Sequence, residues 1–359
     1  MTRRLLLFVC AVLCFGGSVR MEAQSASSST ATSADGNFVE GVVRVKLQRE
    51  VADHMVAAKL PLSVKGKNKK YVQTGVARLD RANEQVKAVS MKRVFPYAGK
   101  DEAKHRKYGL DLWYDVTYDA SAMKCAQARN VYRSVEGVSY AQRIPIYKPV
   151  GGEKFITVSP EQVAKAAKMA AKMPAAQSLP FNDPLLSAQW HYHNDGSMNG
   201  TKAGADINLF KAWESGVYGS NDVIVAIVDG GFDVTHPDLK DNLWVNEAEL
   251  NGQSGKDDDN NGYVDDIYGY NFVINSADIS AHEHGTHVAG TVGATNGNGI
   301  GVCGVAGGKD GKGGVKMMVC QIFDNRANLV ADYAGALVYA ADRGAAIAQC
   351  SWGMSVADE

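Results

Sequence analysis

The feature that most constrains this chain is the run Val223-Ile224-Val225-Ala226-Ile227-Val228, closed by Asp229-Gly230-Gly231. Six apolar residues in succession, with no polar alternation, suit a strand covered on both faces, as in a parallel sheet. A carboxylate then stands at the carboxyl end of that strand, where open α/β sheets place ligands and catalytic groups. The two glycines behind it let the chain turn sharply. Residues 315–323 and 345–350 read as similar strands, and 332–343 between them as a helix. Strands alternating with helices predict an α/β domain whose sheet is mostly parallel, flanked by helices.

Residues 38–149 have a different texture. A strand is expected at 42–47, where hydrophobicity alternates loosely, and a helix over 75–89, where Val76, Leu79, Ala82 and Val86 have helical spacing. Short strands follow at 91–95 and 110–116, then a helix over 121–135 with Ala122, Ala126 and Ala128 on or near its packed side, then a strand at 138–142. The order β-α-β-β-α-β is that of a split βαβ, ferredoxin-like α+β unit. Charge separates the two regions: 37–150 hold 22 Lys/Arg against 11 Asp/Glu, and 183–359 hold 9 against 24. A basic block followed by an acidic block suggests two parts that attract each other. The Lys and Arg are scattered and no nucleic-acid motif accompanies them, which argues against a nucleic-acid partner.

The N-terminus reads as a signal peptide over 1–23: Arg3 and Arg4, an apolar stretch over 5–17, and Ala23 as the cleavage edge. The expected location is therefore secreted or cell-surface. The apolar stretch is too short to span a bilayer, and no other segment qualifies. Residues 24–37 form a flexible leader rich in Ser, Ala and Thr, and 150–182 a linker open to maturation cleavage. Cys125, Cys303, Cys320 and Cys350 remain after export, too few for a disulfide scaffold in a chain of this size.

Three segments carry candidate chemistry. Asp229 is followed by Gly230-Gly231-Phe232-Asp233 and then by His236-Pro237-Asp238-Leu239. His284-Gly285-Thr286-His287-Val288-Ala289-Gly290-Thr291 reads as a helix start whose small residues allow close packing, with a His able to face a cleft. Taken singly, each has a plain rival: an Asp capping a turn, a structural His in a polar loop. His282, His284 and His287 do not make a zinc motif, because the residue four after His282 is Thr286. The third segment, Asp257-Asp258-Asp259-Asn260-Asn261-Gly262-Tyr263-Val264-Asp265-Asp266, follows the start of an EF-hand-type loop. Asp257, Asp259, Asn261 and the Tyr263 carbonyl would hold Ca²⁺, with Asp265 or Asp266 completing the shell because Tyr268 stands where a Glu is expected. A solvated acidic loop is the rival.

Together the Asp229 and His284 segments resemble the subtilisin-like serine proteases, the subtilases, over 183–353. The resemblance implies that Asp229 orients His284, which takes a proton from a Ser hydroxyl and returns it to the leaving amine. Ile300-Gly301-Val302-Cys303-Gly304-Val305-Ala306 resembles the loop after the family's active-site helix, which implies a structural Ca²⁺ held by Asp238, Asn298 and the carbonyls of Ile300 and Val302. Gln349-Cys350-Ser351-Trp352-Gly353 resembles the strand that pairs with substrate, so Ser351, Trp352 and Gly353 become substrate-binding residues, and Ser351 is not the nucleophile. Family topology places the strands of Cys320 and Cys350 on either side of that of Asp229, roughly 9–10 Å apart, beyond disulfide reach. No Gly-Thr-Ser-Met-Ala-like segment and no oxyanion Asn precede Glu359. The expectation is a secreted serine endopeptidase precursor acting on polypeptides and cut short within its catalytic domain, 183–359. Residues 38–149 would be its prodomain, docked on the acidic domain. The alternative is a non-catalytic secreted peptide- or calcium-binding protein on the same fold.

Overall fold

A computed structural model of the protein describes residues 37–64, 71–149, 179–197, 200–324 and 331–353. The expected signal peptide, the leader up to 36 and the linker up to 178 lie outside the described residues. Contacts divide the chain into two compact units, one drawn mainly from the residues up to Lys148 and the other mainly from those after it. Among the described residues no helix is long and apolar enough to cross a membrane.

The first unit is an α+β sandwich with four strands: β1 (Phe38–Leu47), β2 (Ala88–Arg93), β3 (Trp113–Tyr118) and β4 (Val138–Pro145). They run in the order β2-β3-β1-β4, every neighbouring pair antiparallel, as a split βαβ requires. Period-two alternation sets the register. Val43 and Val45 of β1 lie opposite Val116 and Tyr114 of β3, and all four are buried. Among the described residues, four α-helices complete the unit: α1 (Arg49–Ala58), α2 (Ala77–Val86), α3 (Glu102–Tyr108) and α4 (Cys125–Arg133). Leu79, Ala82 and Val86 of α2 and Ala128 and Tyr132 of α4 enter one core with the buried face of the sheet.

Local chemistry moved several boundaries. The helix expected from 121 begins at Cys125, because Asp119 accepts the Ser121 N–H (2.9 Å) and hydroxyl (2.7 Å) in a turn. Residues 110–112, expected as strand, form a 3₁₀ turn, so β3 starts at Trp113. Helices α1 and α3 were not expected. Helix α3 has only His105 buried and is tied down by ion pairs, Arg93–Glu102 (3.0 Å) and Arg106–Asp111 (3.2 Å), at its flanks.

The second unit is an α/β domain whose described main sheet has four parallel strands: β5 (Ile224–Asp229), β6 (Gly269–Asn271), β7 (Lys316–Gln321) and β8 (Ile347–Cys350), in the order β8-β5-β7-β6. Val225 and Ile227 of β5 and Met317 and Val319 of β7 share a core with Ala289 of helix α5 (Glu283–Gly293). The alternate residues Ala226, Val228, Met318 and Cys320 are equally buried and point to the opposite face. Helix α6 (Tyr333–Asp342) packs on β5 and β7, with Tyr339 beside Cys320. Both faces are therefore covered, as the unbroken apolar run of β5 demands.

In the first unit the Tyr132 hydroxyl donates to Asn83 Oδ1 (2.8 Å), and Asn83 Nδ2 donates to the Val72 carbonyl (3.1 Å) inside the core. Tyr132→Phe leaves Asn83 Oδ1 buried without its donor and should cost about 1–3 kcal/mol. Urea unfolding of the chain measures this, and an unchanged midpoint would show that the bond contributes nothing.

Candidate active site and cation sites

The site begins where β5 ends. Asp229 is fully buried and level with Gln321 of β7. Its Oδ1 accepts the N–H of Gly230 (2.7 Å). The chain then turns at Gly231, whose φ of +82° lies in the region that side chains disfavour. Helix α5 starts against this turn: a Cβ on Gly285 would overlap the Gly231 carbonyl oxygen, so only glycine allows the approach. The N–H of Asp233 donates to Thr286 Oγ1 (3.1 Å), pinning the same loop to the first turn of α5.

The consequence is a buried pair, with His284 Nδ1 2.7 Å from Asp229 Oδ1. An ionised carboxylate only accepts, so Nδ1 carries the proton and Nε2 keeps its lone pair. Asp229 Oδ2 is buried with no hydrogen-bond partner among the described residues. The carboxylate's hydrogen bonds from the imidazole and from one backbone N–H both fall on Oδ1. His287 lies on the same helix as His284. Burial, and then the charge of His284, lowers its pKa, and His191 is lowered by burial and by His287. Both are thereby disfavoured as cations.

Strand β8 lies at the edge of the described sheet, next to β5. Cys350 is level with Val228, so Ser351 follows one strand away from Asp229. The Ser351 hydroxyl accepts from Gln349 Nε2 (3.0 Å), and Trp352–Gly353 continues extended. Cys320 is level with Val228 from the other side, and neither cysteine is in a disulfide.

The loop after α5 closes around Asp238. Its Oδ1 accepts from Asn298 Nδ2 (2.9 Å) and its Oδ2 from the Val302 N–H (3.0 Å). Gly301 packs so closely on this carboxylate that a Cβ there would overlap Oδ2, which brings the backbone between Ile300 and Val302 against it. Asp183, far away in sequence, joins the pocket: Oδ2 accepts the Gly297 N–H (2.7 Å), the Cys303 thiol lies against the carboxylate, and Oδ1 is buried with no hydrogen-bond partner among the described residues. Asp183 and Asp238 are each 2% exposed, and among the described residues no Lys or Arg pairs with either. Burial raises the pKa of Asp238, and the charge of Asp183 adds to the rise. Two buried carboxylates with an unused oxygen fit a hard cation. The sequence reading did not include Asp183, because nothing in its neighbourhood marks it as a partner of Asp238.

In the acidic loop two of the expected residues, Asp259 and Asp266, lie beside a carboxylate that the spacing did not suggest. The carboxylates whose oxygens lie within 4.8 Å of one another are Glu249, Asp259 and Asp266. Glu249, unanticipated, accepts the N–H groups of Asp258 (2.7 Å), Asp259 (3.3 Å) and Asp265 (2.9 Å). Asp259 receives Arg343 Nη1 (2.9 Å), and Asp266 receives Asn246 Nδ2 (2.8 Å) and the Tyr339 hydroxyl (2.6 Å). Asp265 turns to the Gly255 N–H (2.8 Å). Asp257 is not one of these three carboxylates, and the Tyr263 ring packs against Tyr270, Phe272 and Tyr339.

Fold and site thus define an α/β protein that holds a buried Asp–His pair at the carboxyl edge of a parallel sheet. Sequence comparison agrees. The Subtilase family profile matches residues 220–359, and the profile of the N-terminal of Subtilase family matches 58–196. Subtilisin-like protease 1 of Plasmodium berghei (strain Anka) is 46% identical over 103 residues, 28% of this chain and 16% of that protein. Kexin of Saccharomyces cerevisiae is 32% identical over 180 residues, 50% of this chain and 18% of that protein. The chain thus matches less than a fifth of the length of either relative. Among solved structures, fervidolysin from Fervidobacterium pennivorans, a keratinolytic enzyme related to subtilisin, aligns with a TM-score of 0.47 and 20% identity, over 89% of this chain and 36% of that one. The chain belongs to the subtilase family.

Proposed function

We propose that the protein is the precursor of an exported serine endopeptidase in which Asp229 and His284 form the proton-accepting part of a triad. The observation that carries this reading is the 2.7 Å contact between His284 Nδ1 and the buried Asp229 carboxylate. That contact leaves Nε2 to take the proton of a serine hydroxyl as it attacks a peptide carbonyl, and later to give that proton to the leaving amine. Asp229 holds the tautomer and stabilises the imidazolium. A serine nucleophile and oxyanion donors complete the site in this reading. The extended segment after β8, with Ser351, Trp352 and Gly353, binds a polypeptide by strand addition. Residues 38–149 act as the chain's own prodomain, a reading supported by the N-terminal family match and by the opposite charges of the two regions. The basic start and apolar stretch read over 1–23 support export.

Calcium serves stability in this reading and takes no part in the chemistry. The pocket most in need of an ion is that of Asp183, Asp238 and Asn298, with the carbonyls of Ile300 and Val302 as neutral ligands. The acidic trio is a second cation site, but Arg343 already brings a positive charge to Asp259.

Two measurements test these proposals. In the complete gene product, Asp229→Asn should lower kcat for peptide hydrolysis by about 10⁴-fold, and His284→Ala by a similar factor. Activity unchanged in either variant would overturn the reading. Calcium at 100 times its dissociation constant should stabilise the protein by about 2.7 kcal/mol. Calorimetry should show that the calcium-dependent gain in melting temperature shrinks in Asp183→Asn and Asp238→Asn. An equal gain in wild type and both variants would rule this pocket out.

A further inference from the structure

The residue that opens α5 is His282, in extended conformation at φ −97° and ψ 133°. A helix start leaves several N–H groups without intrahelical partners, and the residue before it ordinarily supplies a short oxygen acceptor from Ser, Thr, Asp or Asn. Here an imidazole does so. His282 Nδ1 accepts the N–H of His284 at 3.2 Å, while the His282 carbonyl accepts the N–H of Thr286 at 2.8 Å. The capped N–H belongs to the histidine that pairs with Asp229, so the cap fixes the backbone from which that imidazole projects.

The same ring has a second contact. It lies over Gly230, where a Cβ would come within 2.8 Å of His282 Cγ and 2.9 Å of Nδ1. Gly230 in turn donates its N–H to Asp229 Oδ1, the oxygen that meets His284 Nδ1. One imidazole therefore touches the backbone behind both members of the pair. An Asn at 282 could cap the helix but is too small to cover Gly230. A Phe could cover Gly230 but has no acceptor.

We propose that His282 is a positioning residue, whose Nδ1 acceptor and ring face clamp the first turn of α5 to the Asp229–Gly230 corner and set the separation of the Asp–His pair. The kinetic consequence rests on the protease reading, whereas the structural consequence does not. Oriented groups lose roughly tenfold to a hundredfold in rate when displaced by about an ångström, and the loss falls on kcat when substrate contacts are elsewhere.

The test uses His282→Ala, His282→Asn and His282→Phe. In the complete gene product, kcat and KM are measured on a peptide together with the melting temperature. In the precursor chain, the ¹H NMR resonance of the His284 Nδ1 proton is followed; in wild type it should lie far downfield because of its short bond to a carboxylate. Ala and Phe should lower kcat by roughly tenfold to a hundredfold at unchanged KM, and shift or broaden that resonance. Asn, which restores the acceptor without covering Gly230, should recover part of kcat and of the resonance, and more than Ala or Phe. The inference is overturned if Ala keeps the wild-type kcat and resonance, or if the losses fall on KM or merely follow the melting temperature. Should wild type hydrolyse no peptide, the protease reading fails and the resonance in the three variants still decides the role of His282.

Discussion

The first turn of α5 rests on the carbonyl of Gly231, and the geometry of the site follows from that backbone contact. Any side chain at position 285 would push the helix off the turn. With glycine there, the helix start comes down on the corner that β5 makes at Asp229. His284, in the first turn, then meets the buried carboxylate at 2.7 Å. A carboxylate that accepts there holds the proton on His284 Nδ1 and leaves Nε2 its lone pair. A steric requirement at one glycine thus becomes an electrostatic property of the pair.

The corner is also where the unit's other constraints meet. Covering β5 on both faces buries Asp229, and the loop that leaves it returns through Thr286 to α5. The chain after α5 wraps Asp238, whose carbonyl accepts the Thr295 N–H, and so ties the far end of the helix to the segment that follows β5. Placing Asp183 and Asp238 together in a buried pocket is unfavourable without a counter-charge. The pocket makes physical sense if a cation completes it, and that cation would then hold the far end of α5 to the segment that follows β5.

Much of this was legible in the sequence, for physical reasons. A six-residue, mostly β-branched apolar run closed by two glycines suits a strand covered on two sides, so β5 and the carboxylate at its end could be read directly. The alternation in β1 and the helical spacing of Leu79, Ala82 and Val86 likewise marked the first unit. Features built by long-range placement were not legible. Helix α3 has no apolar period and depends on ion pairs with Arg93 and Asp111. Strand β6 has three residues led by Gly269, which must lack a side chain because a Cβ would overlap the Val319 carbonyl. Asp183 and Glu249 become cation-site residues only through folding. His282 looked like one more histidine in a cluster, because capping by an imidazole has no sequence signature.

The central claim is that the Asp229–His284 pair is the base of a serine nucleophile. The most direct measurement is a crystal structure of the complete gene product after reaction with a serine-directed fluorophosphonate. The account predicts the phosphonyl group on one serine, with that serine's Oγ near His284 Nε2 and the Nδ1–Asp229 contact intact. A phosphonylated residue remote from His284, or a His284 turned away from Asp229 in the active protein, would contradict it.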